Sequence, residues 1–124
     1  MARTVLTMPD LLSITDLPPG FDYPPEFIRV VELGLTALEP WWIFDGEQLR
    51  QRFAGLKDRY PGRRLVPFAR REDNDDVACW DIDEGDVAIV HDFASRGWEQ
   101  RGKRFPDFNA WLRQAIEDLI EHGG

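Results

Sequence analysis

Apolar positions recur at helical spacing over the first half of the chain. Phe27, Ile28, Val30 and Val31 follow Pro24 and Pro25. Proline sits where a first helical turn tolerates it and Gly34 where a helix would stop, so the pattern predicts a helix over about 25–33. Pro40, Trp41, Trp42, Ile43 and Phe44 form a short apolar run before Asp45. Asp45 with Gln48 three residues later is a capping-box-like start, and Leu49, Phe53, Leu56 and Tyr60 share one helical face. This predicts a second helix, ended by Pro61 and Gly62.

From Arg64 the period shortens. Leu65–Phe68, Val77–Ile82 and Val87–Phe93 are β-prone runs separated by acidic turns, which predicts an antiparallel meander. Alternation in the middle strand places Val77, Cys79 and Asp81 on one face and Ala78, Trp80 and Ile82 on the other. A core-facing strand leaves Asp81 to explain. Its carboxylate must be met by backbone N–H groups or an arginine, because an unpaired buried charge costs on the order of 3 kcal/mol or more. Residues 94–104 fit a loop or a last strand. Phe105–Glu121 carries Phe108, Trp111, Leu112, Ala115, Ile116 and Leu119 on one stripe, an amphipathic C-terminal helix with Pro106 near its start. Pro9, Pro18, Pro19 and Gly20 forbid a long helix before Pro24, so residues 1–23 read as an extended arm or a short strand.

A chain of 124 residues supports one core, and 43% hydrophobic residues with five Trp, eight Phe and two Tyr can fill it. That excludes general disorder and disulfide-stapled scaffolds. The net charge of −8 has the wrong sign for gripping a phosphate backbone, so no direct nucleic-acid binding is expected. Cys79 is the single cysteine; without a possible internal disulfide or multi-cysteine zinc site, a cytoplasmic protein is the default. No stretch approaches the ~18 apolar residues that span a bilayer, so neither a membrane partner nor an export signal is expected.

The acidity is local. Glu72, Asp73, Asp75, Asp76, Asp81, Asp83, Glu84, Asp86 and Asp92 give residues 72–92 a charge of −9 with no Lys or Arg, and the rest of the chain sums to +1. Such a window is either a set of solvated turns that keep sheet edges from aggregating, or an acidic surface for a basic partner. Arginines at 63, 64, 70, 71, 96, 101 and 104 flank it, and some of them will pair with it.

Candidate chemistry is sparse. The two histidines, His91 and His122, and the two serines, Ser13 and Ser95, fall in no metal, triad or nucleophile-elbow pattern. No glycine-rich phosphate loop is present. A calcium loop fails on spacing: counted from Asp73 the glycine position is Ala78, and counted from Asp81 Gly85 comes one residue early. No catalytic residue, metal or cofactor is assigned, and the residues point away from an enzyme.

The order of motifs resembles the SUKH superfamily of Smi/Knr-like proteins. The resemblance rests on Pro24-Pro25-Glu26-Phe27 opening a helix, the Leu65-Val66-Pro67-Phe68-Ala69 strand, and Ala78-Cys79-Trp80-Asp81 after an acidic turn. It continues through the strand Val87 to Asp92 and the helix Phe105-Pro106-Asp107-Phe108-Asn109-Ala110-Trp111-Leu112. It covers about residues 24–120. The turn Arg71–Asp76 lacks the usual glycines of the family, and the segment before Pro24 is untypical of it. The resemblance implies a single α+β domain over 24–122 with one mainly antiparallel or mixed sheet and flanking helices, and the residues before it read as an N-terminal arm over 1–23. Bacterial members of that family are commonly immunity proteins that bind and neutralise a toxin domain of nuclease or deaminase type; eukaryotic relatives are regulatory or scaffolding interaction modules. The expected partner is therefore a cognate protein toxin with a basic surface. It would be met by Asp73, Asp75, Asp76, Asp83, Glu84 and Asp86 in the turns, together with Trp98.

Overall fold

The computed structural model describes residues 10–122. The run after Pro24 forms helix α1 (Pro25–Glu32), which buries Phe27, Val30 and Val31. Gly34 ends it in the left-handed region (φ 76°). The Gly34 and Leu35 amides donate to the Val31 and Val30 carbonyls at 2.9 and 3.1 Å, a Schellman closure that only glycine enters without strain. The apolar run around Trp41 becomes a small hairpin of β1 (Ala37–Leu38) and β2 (Trp41–Ile43), which the sequence pattern did not announce as strands.

Helix α2 (Gly46–Arg59) buries Leu49, Phe53 and Leu56, the stripe that the spacing predicts. The expected capping box is not formed. Asp45 occupies the cap position with extended backbone, but its side chain accepts no capping hydrogen bond. The Gly46 amide instead donates to the Asp10 carbonyl at 2.8 Å.

The meander follows as β3 (Leu65–Arg71), β4 (Asp76–Asp81), β5 (Asp86–His91) and β6 (Gln100–Phe105). All six strands make one sheet in chain order, and every neighbouring pair is antiparallel, so of the two expected sheet types the antiparallel one holds. Residues 100–105 are therefore a last strand. The C-terminal helix α3 (Phe108–His122) begins later than the pattern suggested, because Phe105 pairs with Val87 in the sheet. Asp107 caps the helix, its Oδ1 accepting from the Ala110 amide at 2.9 Å.

Both faces of the sheet are covered. Phe27 of α1 and Phe108 and Trp111 of α3 surround Phe68 and Trp80, with ring centroids 4.8 to 5.9 Å apart for Phe27–Phe68, Phe27–Phe108 and Phe68–Trp111. Phe68 reaches this cluster through a bulge: Pro67 pairs with Cys79 and Ala69 with Ala78, leaving Phe68 as the extra residue. Proline is tolerated there because the ladder is already interrupted. The Trp80 indole Nε1 is, among the described residues, the one buried side-chain polar atom without a hydrogen-bond partner.

Helix α2 lies on the opposite face, that of Val77, Cys79 and Asp81. Residues 10–23 carry no strand. Leu12 and Leu17 are buried in the common core, and the Leu12 amide donates to the Tyr23 hydroxyl at 3.1 Å. Phe21 and Tyr23 pack on Trp80 at 5.4 and 5.6 Å. The segment thus runs from α2 round the end of the sheet to the aromatic cluster. The part of the expected N-terminal arm before Asp10 lies outside the described residues.

Candidate functional site

Folding brings arginines from outside the acidic window onto most of its carboxylates. Asp73 is held by both arms of Arg71 at 2.9 Å, and Asp83 lies on Arg64 at 2.8 Å. Asp76 accepts from Arg101 at 2.9 Å and sits 3.1 Å from His91 Nδ1. Asp86 takes two bonds from Arg104, at 2.7 Å from Nε and 2.6 Å from Nη2. Asp75 and Glu84 have no ion pair among the described residues. The β4–β5 hairpin separates the expected site residues into two groups: Asp73, Asp75 and Asp76 at one end, and Asp83, Glu84 and Asp86 at the other. A six-residue strand spans about 20 Å, so they form two small clusters and not one patch.

Two window carboxylates are buried, and both have arginine partners. Asp81 accepts from Arg104 at 2.7 Å, Arg63 at 3.1 Å and the Glu84 amide at 3.2 Å. Burial alone would push its carboxyl up; the hydrogen bonds from Arg104, Glu84 and Arg63 outweigh this and hold it below the ordinary value. Asp81 is thus structural, as its place on a core strand demands.

Asp92 is fully enclosed, at 0% exposure. Its Oδ1 accepts from Arg59 Nε at 2.7 Å and from the Phe93 amide at 2.8 Å; its Oδ2 accepts from Arg59 Nη2 at 2.7 Å and Arg52 Nη1 at 3.0 Å. Gly55 makes this possible, since a Cβ there would stand 2.6 Å from Arg59 Nη2. Cys79 lies fully buried on the same sheet face, where burial pushes the thiol well above its usual range and keeps it protonated.

The β5–β6 loop, residues 92–99, is fastened at both ends. The Tyr60 hydroxyl donates to the Ala94 carbonyl at 2.7 Å, and Arg96 Nε donates to the Arg59 carbonyl at 2.9 Å. At the far end buried Glu99 accepts from Arg63 at 2.9 Å and from the Gly97 amide at 2.7 Å. Two large aromatics project from this anchored loop: Phe93 is 63% exposed and Trp98 81%. Phe93 has φ 69°, a left-handed conformation uncommon for a bulky residue, which places its ring over the guanidinium of Arg59 at 4.1 Å.

Beside Phe93 opens a cavity of about 480 Å³ between α2 and the β2–β3 part of the sheet. Arg52, Arg59 and Arg70 line it with the amides of Gln48 and Gln51, and Phe44 and Phe93 form its apolar walls. Among the described residues no carboxylate lines it.

No family model, curated protein or solved structure matches the chain. The geometry must carry the functional reading.

Of the residues expected to meet a partner, Trp98, Asp75 and Glu84 stand solvated, whereas Asp73, Asp76, Asp83 and Asp86 are engaged with arginines or His91. Sequence reasoning missed Phe93, Asp92 and the arginine cavity. A signal was present on α2: Arg52 and Arg59 are seven residues apart, hence on one helical stripe, with the unusual mid-helix Gly55 between them. Nothing in the strand pattern distinguished Asp92 from the other acids. Glu39, Glu72 and His122 also gather at the surface, with their ligand atoms within 4.8 Å of one another. All three are exposed, and Glu72 already accepts from Trp42 Nε1 at 2.9 Å. Among the described residues no helix is long and apolar enough to cross a membrane.

Proposed function

We propose that the chain is a non-catalytic binding protein of the Smi/Knr-like immunity type, which neutralises a cognate protein toxin of nuclease or deaminase class by direct contact. The observation that carries this reading is Trp98, 81% exposed on a loop whose ends are tied to α2 and to Arg63. An exposed indole on an anchored loop loses little entropy on binding, and tryptophan is over-represented among residues that dominate interface energies. The α+β architecture and the antiparallel meander are compatible with the family the motifs resemble. The solvated carboxylates of Asp75 and Glu84 supply the acidic character expected to steer a basic toxin surface.

The test is co-expression with the product of the neighbouring gene, which this reading expects to be a toxin domain, together with a direct affinity measurement. Protection from toxicity, and at least roughly tenfold weaker binding by Trp98→Ala without a change in melting temperature, is the expected outcome. A neighbouring gene product that is no toxin or is not bound, or full affinity in Trp98→Ala, would overturn the reading. Trp98-dependent binding to a cellular protein that is no toxin would favour the regulatory or scaffolding module of the same resemblance.

A further inference from the structure

The arginine cavity has a charge opposite to that of the chain as a whole. Arg52, Arg59 and Arg70 line it, and Asp92 behind them offsets one of the three, leaving +2 in a protein of net charge −8. Asp92 acts as a brace. By taking Arg59 Nε and Nη2 and Arg52 Nη1, it fixes two guanidinium planes while leaving their other N–H groups uncommitted. Arg70 is half-buried on β3 and has no carboxylate within ion-pair distance among the described residues. Among the described residues every polar side-chain group lining the cavity, the guanidinia and the amides of Gln48 and Gln51, can donate, and none carries negative charge.

We propose that this cavity is an anion site for a phosphate monoester. A carboxylate offers two oxygens on one edge, which is the arrangement Asp92 already satisfies for Arg52 and Arg59. Three arginines around an open cavity suit a group with three terminal oxygens and a charge of about −1.5 to −2 near neutral pH, which matches the local +2. At about 480 Å³ the cavity exceeds what a bare phosphate fills, and pockets that hold organic ligands run from about 300 to 1,000 Å³. The ester's organic group would lie toward Phe93, whose ring is 63% exposed and rests by one face on Arg59. The left-handed backbone at Phe93, held by the bond from its amide to Asp92, sets the ring there. This inference is independent of the toxin-binding reading, since it concerns a small anion and the unaltered protein alone.

The experiment titrates the full chain with inorganic phosphate, phenyl phosphate and benzoate at constant ionic strength. It follows the arginine Nε–Hε signals and the Phe93 amide by NMR, and affinity by calorimetry. Saturable shifts of Arg52, Arg59, Arg70 and Phe93 are expected, with phenyl phosphate binding more tightly than phosphate and benzoate the weakest. Arg70→Gln should weaken phenyl phosphate about tenfold or more. Arg113→Gln removes the same charge from an exposed position on α3, on the other side of the sheet, and should leave affinity unchanged. Arg70→Lys, which keeps the charge and the buried stem, should fall between native and Gln. Because the native-protein shifts report the site directly, an unstable Arg70→Gln would not obscure the result. Non-saturating shifts, equal losses in Arg70→Gln and Arg113→Gln, or benzoate binding as tightly as phenyl phosphate would each overturn the proposal.

Discussion

Replacing Asp92 by asparagine exchanges one oxygen for an NH2 group and changes almost no volume, so its effect isolates the charge and the acceptor count. The native carboxylate accepts four bonds between 2.7 and 3.0 Å, two at each oxygen. An asparagine amide can present its carbonyl oxygen to one pair of donors only. Its NH2 group then faces the other pair: Arg52 and Arg59 in one orientation, Arg59 Nε and the Phe93 amide in the other. Either way two donors lose their acceptor and two cations lose their counter-charge. Removing one member of a buried pair costs about 3–5 kcal/mol. The arginine side chains remain 21% and 28% exposed and recover some hydration, which brings the expected loss to the lower end, about 3 kcal/mol. In urea unfolding with a slope of about 1.5 kcal/mol/M, the midpoint should fall by about 2 M with the slope unchanged. Arg59→Gln should cost less in the Asp92→Asn background than alone, because the counter-charge and one of its two bonds are already lost. A loss for Asp92→Asn below about 1 kcal/mol, or additive effects in the double variant, would show that the arginines rehydrate freely and that Asp92 is no brace.

Three further outcomes follow from the same contacts. The Asp81 and Glu99 carboxyls lie below their ordinary values of 3.8 and 4.5, with burial working against the shift and the hydrogen bonds outweighing it. The unfolded chain therefore binds more protons in acid, so their contribution is present above about pH 5 and lost as pH falls through the folded values. Urea midpoints measured between about pH 3 and 7 should drop on the acid side, and Asp81→Asn should flatten that drop. Gly55→Ala gains about 1 kcal/mol of helix propensity but pushes Arg59 off Asp92, so it should destabilise the native protein and stabilise an Arg59→Gln variant, a reversal of sign visible in thermal melts. Asp75→Asn should leave stability within about 0.5 kcal/mol, whereas Asp76→Asn should lower it, because Asp76 alone of the two carries Arg101 and His91.

The elements with a strong apolar period are legible in the amino-acid sequence. α2 follows from Leu49, Phe53 and Leu56, and β4 and β5 from runs of buried residues on either side of Gly85. β6 is legible only as one of two alternatives, loop or last strand, because Gln100–Phe105 is an edge strand facing solvent along most of its length. An edge of this kind is protected by Arg and Lys, so it shows none of the alternation that marks a half-buried strand. The β1–β2 hairpin escapes for a different reason: with two and three residues, its strands are too short to display any period. Asp81 can be read correctly because its neighbours fix its burial, and burial dictates that a carboxylate be paired.

The acidic window behaves differently in space from how it counts along the chain. A sum over residues 72–92 adds charges in sequence order, but an electrostatic surface is set by neighbours in three dimensions. Arg52, Arg59, Arg63, Arg64, Arg71, Arg101 and Arg104 all come from outside the window and land on its carboxylates. Such pairing does not show in a one-dimensional count, because it depends on α2, the segment after it, β3 and β6 being brought beside β4 and β5. It also moves the interesting charge. With most of these acids paired, a cavity that keeps a net positive charge is the one lined by Arg52, Arg59 and Arg70, beside the loop that carries Phe93 and Trp98. A partner or ligand approaching that loop therefore meets positive charge in the cavity, a local sign opposite to the one the chain's net charge suggests.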